Sequence, residues 1–276
     1  MNILIVDGNE KKASQKYTEL GMQTQYEVYQ ETLESLSEKK LSISIIHPTY
    51  SNESLSLGID LDNFHGIVWT GSVLNIYEGG PAIKNQIELA KNLLRKKNKI
   101  FGSCWGLQVL VSAAGGTVRK NPKGLEAVIS KNISLNNKGI KHPMYNSKPR
   151  QFNSFCWHYD EIESLPENSN ILSSNDKSSV QSLVFNQDES EVWAVQYHPE
   201  FNPKWMSGLM LQRKQLLLDE KIFSSKEKFQ KMQSYLSDIN KFKNLKDESL
   251  ISNSIINKKI HTIELKNWLN HIKNDI

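Results

Sequence analysis

Two short segments carry residue types that can do chemistry together. Cys104 stands in Gly102-Ser103-Cys104-Trp105-Gly106-Leu107-Gln108. The apolar run before it reads as a strand and the run after it as a helix. The thiol therefore sits on a sharp strand-to-helix turn, with its side chain exposed above the sheet. Gly102 and Gly106 bracket that turn, where side chains would collide. The helix start offers free N–H groups and partial positive charge, which favour a thiolate and, later, an oxyanion. Far downstream comes Val195-Gln196-Tyr197-His198-Pro199-Glu200-Phe201. His198 can take the thiol proton and return it to a departing group. Glu200 can turn back onto the ring because Pro199 stiffens the link, fixing tautomer and ring plane. A Cys–His–Glu set of this kind performs acyl transfer through a thioester.

A cysteine in an apolar setting is usually an inert core residue, and Cys156, with neither a glycine bracket nor a partner pair, reads that way. Cys104 and Cys156 are the two cysteines of the chain. Two are too few for a disulfide framework and cannot alone supply a zinc site, and no His pair lies near them at ligand spacing. No metal and no cofactor is expected. Reduced thiols fit a cytoplasmic protein. Met1 leads directly into Ile3-Leu4-Ile5-Val6 with no basic segment or small-residue cleavage site, so no signal peptide is expected. No apolar run approaches the roughly 18 residues of a membrane span.

The elements that must position these residues alternate along the chain. Strand-length apolar runs at residues 2–6, 41–46, 66–70 and 99–103 are separated by helical patterns, one of them opened by Pro81 with Ile83, Ile87, Ala90 and Leu94 on one face. Nearly continuous Val/Ile/Leu strands between helices predict a parallel sheet covered on both faces. After Gly115-Gly116 the texture changes. Closely spaced strand-like pieces at 125–130, 151–157, 180–185 and 192–196 predict a mixed or antiparallel part of the same domain. From Trp205 onward the chain reads as mostly helical, with a last helix around 263–272 and an Asn/Lys/Ser-rich stretch at 224–258 that reads as loosely packed and exposed. Hydrophobic residues make up 38% and charged residues 23%, which places the chain with folded globular proteins and not with disordered ones. The net charge of +4 is spread along the chain without an aromatic-interleaved basic stripe, so no nucleic-acid surface is expected.

With those residues in view, the chain resembles the class I glutamine amidotransferases. Gly102–Gln108 is similar to their G-x-C-x-G-x-Q signature, the segment Tyr197-His198-Pro199-Glu200-Phe201 to their H-x-E motif, and Trp69-Thr70-Gly71-Ser72 to their oxyanion loop. The resemblance covers residues 2–203. Asn121-Pro122-Lys123-Gly124, His142-Pro143-Met144-Tyr145, His158-Tyr159-Asp160-Glu161 and Leu265-Lys266-Asn267-Trp268-Leu269 resemble the stand-alone, GMP-synthase-like subgroup. It implies a flavodoxin-like, mostly parallel α/β sheet flanked by helices, as an amidotransferase domain over residues 1–204 with a helical C-terminal extension over 205–276. It implies that Cys104, His198 and Glu200 are catalytic, and that the amides of Trp105 and Ser72, with Gly71 permitting the bend, hold the oxyanion. Gln108 would hold the α-amino and α-carboxylate end of the substrate, or else be a polar residue of the helix's first turn. His158 and Asp160 would face the substrate, or else hold their loop. Two departures stand out. Ser72 replaces the usual second glycine of the oxyanion loop. Trp105 is bulkier than the usual neighbour of the nucleophile, and its side chain is expected to narrow the pocket or seat a partner.

Three functions follow from this resemblance. In the first, a glutaminase releases ammonia for an acceptor elsewhere. The chain contains neither a G-x-x-x-x-G-K-[ST] loop nor an S-G-G-x-D-S loop, so that acceptor chemistry implies a separate synthase partner and a slow isolated glutaminase. In the second, the same triad hydrolyses γ-glutamyl compounds as a γ-glutamyl hydrolase or peptidase. In the third, the fold is a non-catalytic binding module, which an intact Cys–His–Glu set disfavours. The helical tail, with Leu216–Leu218 and Trp268-Leu269, is a candidate docking surface for a partner, against the alternative that it packs on its own domain.

Overall fold

A computed structural model of the chain describes residues 1–50, 61–238 and 252–275. Among these residues the strands β1 (Asn2–Val6), β2 (Ser42–Ile46), β3 (Gly66–Trp69), β4 (Lys99–Ser103) and β11 (Ser190–Val195) run parallel in the order β2-β1-β3-β4-β11. That order is the flavodoxin-like one. The sheet continues as β10 (Ser182–Gln187), β9 (Asn170–Ser174), β6 (Glu126–Leu135) and β7 (Gln151–His158), each antiparallel to its neighbour. The change of texture after Gly115-Gly116 thus marks the antiparallel half of one mixed sheet. A separate ribbon pairs β5 (Thr117–Lys120) with β8 (Asp160–Ser164).

Period-2 side-chain alternation explains why β1 is apolar from Ile3 to Val6. Leu4 and Val6 join Ile67, Trp69 and Ile100 against α3 (Pro81–Leu94) and α4 (Trp105–Ala113). Ile3 and Ile5 join Val68, Phe101 and Trp193 on the opposite face, against α2 (Gln25–Leu36). A capping box starts α2: the Thr24 hydroxyl accepts from the Glu27 amide, and the Glu27 carboxylate accepts from the Thr24 amide at 2.7 Å. The first helix, α1 (Lys11–Glu19), carries no apolar periodicity and is absent from the sequence reading; only Ser14 and Tyr17 are buried in it.

Of the two readings of the C-terminal helices, packing on their own domain is the one their apolar residues follow. After α5 (Asn137–Lys141) and the strands come α6 (Pro203–Gln212), α7 (Lys214–Asp219), α8 (Lys226–Ser237), α9 (Asn253–Ile256), α10 (Lys258–His261) and α11 (Ile263–Lys273). Leu265, Trp268, Leu269 and Ile272 of α11 are buried in the same core cluster as Ile3 and Phe101, with the Trp268 ring edge-on to Phe101. Leu217 is buried as well. An amphipathic helix hides its apolar face on the nearest apolar surface, and here that surface is the sheet itself. The stretch expected to be loose is in part packed: Phe229, Tyr235 and Leu236 of α8 are buried with Leu209 and Met210 of α6. Its central part, residues 239–251, lies outside the described residues. Among the described residues no helix is long and apolar enough to cross a membrane, and no group of three or more His, Cys, Asp or Glu side chains is arranged to hold a metal ion.

Candidate active site

Cys104 is the residue between β4 and α4, with φ 52° and ψ −103°. This left-handed conformation is strained for a residue with a side chain, and it is held by the fold around it. The Cys104 amide donates to Val195 O at 2.8 Å. A Cβ on Gly102 would lie 2.8 Å from the Gly106 carbonyl carbon, and one on Gly106 would lie 2.5 Å from Trp69 O. The glycine bracket read from the sequence is therefore the device that lets strand, turn and helix crowd together. The thiol donates to Trp157 O at 3.5 Å. Burial, and then the negative charge of Glu200, raise its pKa well above that of an ordinary thiol; the Trp105 amide and the Gln196 side chain oppose the shift without cancelling it. Burial of the sulfur thus opposes the thiolate that the helix terminus favours.

His198 and Glu200 follow β11. His198 Nδ1 lies 2.6 Å from Glu200 Oε1, with both side chains buried. The Nδ1 proton is thereby committed to the carboxylate, which leaves Nε2 as the acceptor. The ring edge carrying Cε1 and Nε2 faces Gly71: a Cβ there would sit 2.7 Å from Cε1 and 3.5 Å from Nε2. Phe201 stacks flat on the imidazole, with centroids 3.9 Å apart, and Trp205 packs on Phe201 in turn. Ser103 donates to Glu200 Oε2 at 3.2 Å and is itself hydrogen-bonded to Tyr29 of α2. Thr32 of α2 donates to the Glu200 backbone carbonyl at 3.2 Å.

The loop after β3 brings Gly71 and Ser72 to the same place. Asn9, after β1, clamps it by donating to Gly71 O at 3.5 Å and accepting from the Val73 amide at 3.2 Å. Ser72 turns its hydroxyl back to accept from the Leu74 amide at 3.2 Å. The Trp105 side chain departs from expectation. It points into the core and donates to Gln86 Oε1 at 2.8 Å, so it neither narrows the cavity nor meets a partner.

Cys104, His198, Ser72, Gln108, His158 and Asp160 all line one cavity of about 200 Å³. Gln108 donates to Gln196 Oε1 at 3.4 Å. His158 spends both ring nitrogens on the protein, Nε2 at 2.9 Å from Glu126 Oε2 and Nδ1 at 2.9 Å from Asp160 O. It thus holds the Asp160 loop while also lining the cavity. Asp160 accepts from the Tyr77 hydroxyl at 2.9 Å, and burial raises its carboxyl above the ordinary range. The same cavity is lined by Tyr17, Gln25, Leu209, Arg213 and Leu216, none of which the sequence placed at the site. Ser103 and Gln196 were within reach of sequence reasoning, because they lie inside the two motifs. Tyr17, Gln25 and Arg213 come from helices with no motif of their own. Cys156 is fully buried in the core beside Phe152 and Leu172.

Comparison with known proteins gives this geometry a lineage. Residues 23–217 match the family model of Glutamine amidotransferase class-I. A gamma-glutamyl-L-1-hydroxyisopropylamide hydrolase of a Pseudomonas species is 26% identical over 284 residues, covering 99% of this chain and 93% of its own. Gamma-glutamyl peptidase 5 of Arabidopsis thaliana is 28% identical over 171 residues, covering 61% of this chain and 66% of its own. The crystal structure of a glutamine amidotransferase from Thermotoga maritima has a TM-score of 0.68, covering 99% of this chain and 97% of its own at 17% identity, a likeness of fold. With a strand-to-helix cysteine, a downstream His–Glu pair and a family match across residues 23–217, the chain belongs to the class I glutamine amidotransferase family.

Proposed function

We propose that the chain hydrolyses γ-glutamyl amides through a thioester on Cys104, glutamine being the smallest member of that substrate class. The observation that carries the reading is the 2.6 Å contact between His198 Nδ1 and Glu200 Oε1 at the wall of the cavity into which Cys104 opens. In this reading Cys104 Sγ attacks the γ-carbonyl carbon as its proton passes to His198 Nε2. A buried thiol needs that base as it attacks, because burial opposes the thiolate and the thiolate is the attacking form. The carbonyl oxygen becomes an oxyanion facing the amides of Trp105 and Ser72, each worth on the order of 3 kcal/mol in the transition state. His198 returns the proton to the departing amine. Water then adds to the thioester with His198 again as base, releasing glutamate and regenerating the thiol. Glu200 holds the imidazole and stabilises its charged form. Gln108 and Asp160 meet the α-amino and α-carboxylate end.

Support for hydrolysis of substituted amides comes from the Pseudomonas relative, a γ-glutamyl amide hydrolase by name, which aligns along nearly all of this chain including its C-terminal helices. The glutaminase reading, with ammonia passed to a separate synthase, shares every step and differs only in the leaving group. Glutamate release from glutamine and from γ-glutamyl alkylamides, assayed with the purified chain and with Cys104→Ala, tests both. Turnover that survives Cys104→Ala would sink the mechanism. Turnover of glutamine alone would favour the glutaminase.

A further inference from the structure

The leaving group of such a reaction has a fixed address. It takes its proton from His198, so it departs along the Cε1–Nε2 edge of that ring. Beside that edge stands Gln25, the first residue of α2: its Oε1 would meet a Cβ on Gly71 at 2.7 Å, the same distance as His198 Cε1. Gln25 is more than nine-tenths buried, yet its Oε1 has no hydrogen-bond partner, while its Nε2 donates to the Tyr17 hydroxyl at 3.4 Å. The Tyr17 hydroxyl can donate or accept, so either orientation of the amide leaves one polar atom unspent in the cavity wall. An unsatisfied buried amide atom is costly unless a ligand completes it.

Arg213, at the junction of α6 and α7, lines the same cavity as Tyr17. Its charge acts on the two tyrosines around it, Tyr17 and Tyr159. Among the described residues its guanidinium has no carboxylate partner. Asp160 accepts from Tyr77 and Glu220 from Tyr159 at 3.3 Å, and neither forms an ion pair with it. Leu209 and Leu216 add an apolar wall beside it. Ammonia offers the guanidinium and the apolar wall nothing to bind, and a free cation repels the ammonium it becomes.

We propose that this side of the cavity is a leaving-group site for the amino-acid half of a γ-glutamyl amino acid, with Arg213 pairing with its carboxylate. The planar guanidinium fork matches a carboxylate in geometry and charge. Gln25 Oε1 accepts the N–H of the scissile amide, and Leu209 and Leu216 cover an apolar side chain. Hydrolysis then gives glutamate and a free amino acid, with one water consumed. The inference rests on the γ-glutamyl amide reading above and names its substrate class.

Binding separates this inference from that reading, because it needs no turnover. In the Cys104→Ala chain, calorimetric titration with γ-glutamyl-leucine and with γ-glutamyl-leucinamide compares two ligands that differ only in the terminal carboxylate. The expected result is a preference for the carboxylate of about tenfold or more, the scale of one charge-assisted pair. Arg213→Met on the same background is expected to collapse that ratio towards one, and Arg213→Lys to retain part of it. Circular dichroism melts establish that each variant is folded, and the ratio in the parent and in Arg213→Lys decides the matter if Arg213→Met is not. Equal affinity of the parent for the two ligands overturns the proposal, as does binding of neither. So does an equal loss for both in Arg213→Met, which would place Arg213 on the α-carboxylate of the γ-glutamyl unit.

Discussion

The hydroxyl of Tyr197 donates to Glu264 Oε1 at 2.7 Å, joining the residue before His198 to the last helix of the chain. The same carboxylate lies 2.9 Å from Lys148 Nζ, and both charged side chains are completely buried. Burial lowers the Lys148 pKa from the usual ammonium range, and Glu264 opposes that shift. Removing one member of a buried pair strands the other. Glu264→Ala is therefore expected to cost roughly 3–5 kcal/mol of unfolding free energy. Urea titration of the variant checks this. A loss below about 1 kcal/mol would mean that water reaches Lys148.

A second expectation concerns the support of Glu200. Ser103 holds Oε2, and Tyr29 holds Ser103. Ser103→Ala leaves the His198 contact in place but frees the carboxylate to tilt. A positioning loss of this kind is expected to lower kcat about tenfold, with KM little changed. Glu200→Gln should cost more, about a hundredfold or greater, because it also removes the charge that favours imidazolium. Steady-state kinetics with glutamine or a γ-glutamyl amide reads the order. Equal losses for the two variants would mean that Ser103 does more than hold Glu200.

How much of this was legible in the sequence depends on whether the signal was local. The elbow and the His–Glu pair were, because Gly102, Gly106 and Pro199 impose local geometry with local residues. The parallel strands were as well, since a strand buried on both faces must be apolar throughout, as Ile3 to Val6 are. The role of the tail was not. Trp268 and Leu269 make an apolar stripe that fits a partner and a parent domain equally well, and only the tertiary structure reveals that Phe101 waits beneath it. The proposed leaving-group side of the cavity was invisible for a related reason: Gln25 and Arg213 line it from helices far apart in the chain. The Trp105 side chain misled because α4 turns it away from the thiol that its own backbone amide serves.

A third expectation is a pH dependence with a known sign. His261 of α10 is buried and donates from Nε2 at 2.8 Å to the backbone carbonyl of Phe201, the residue whose ring stacks on His198. Burial, with Lys148 adding to it, lowers its pKa to about 3. An unfolded-chain histidine titrates near 6.5. Between these values the unfolded chain binds a proton that the folded chain refuses. This contribution to stability is therefore complete above about pH 6.5 and is lost as pH falls, at up to about 1.4 kcal/mol per pH unit. Denaturant titrations at pH 7, 6 and 5 measure the slope. His261→Gln is expected to reduce it by that amount, and an unchanged slope would mean that His261 takes up its proton in the folded state.

The last expectation concerns the two thiols. Both lie above the ordinary thiol range, Cys104 through burial and then Glu200, Cys156 through burial and then Glu126. They differ in access: Cys104 lines the cavity, whereas Cys156 sits in the core with no opening to it among the described cavities. Iodoacetamide, which carries no γ-glutamyl recognition elements, should therefore label Cys104 and spare Cys156 in the folded chain. Because the thiolate is the reacting form, a raised pKa means that the fraction available grows about tenfold for each pH unit below that pKa. The alkylation rate at Cys104 is accordingly expected to climb without a plateau from pH 6 to pH 9. Peptide mass mapping assigns the label, and timed quenching gives the rate. A rate already level below pH 7 would mean that His198 holds the sulfur as a preformed thiolate–imidazolium pair, and proton transfer would then precede attack instead of accompanying it.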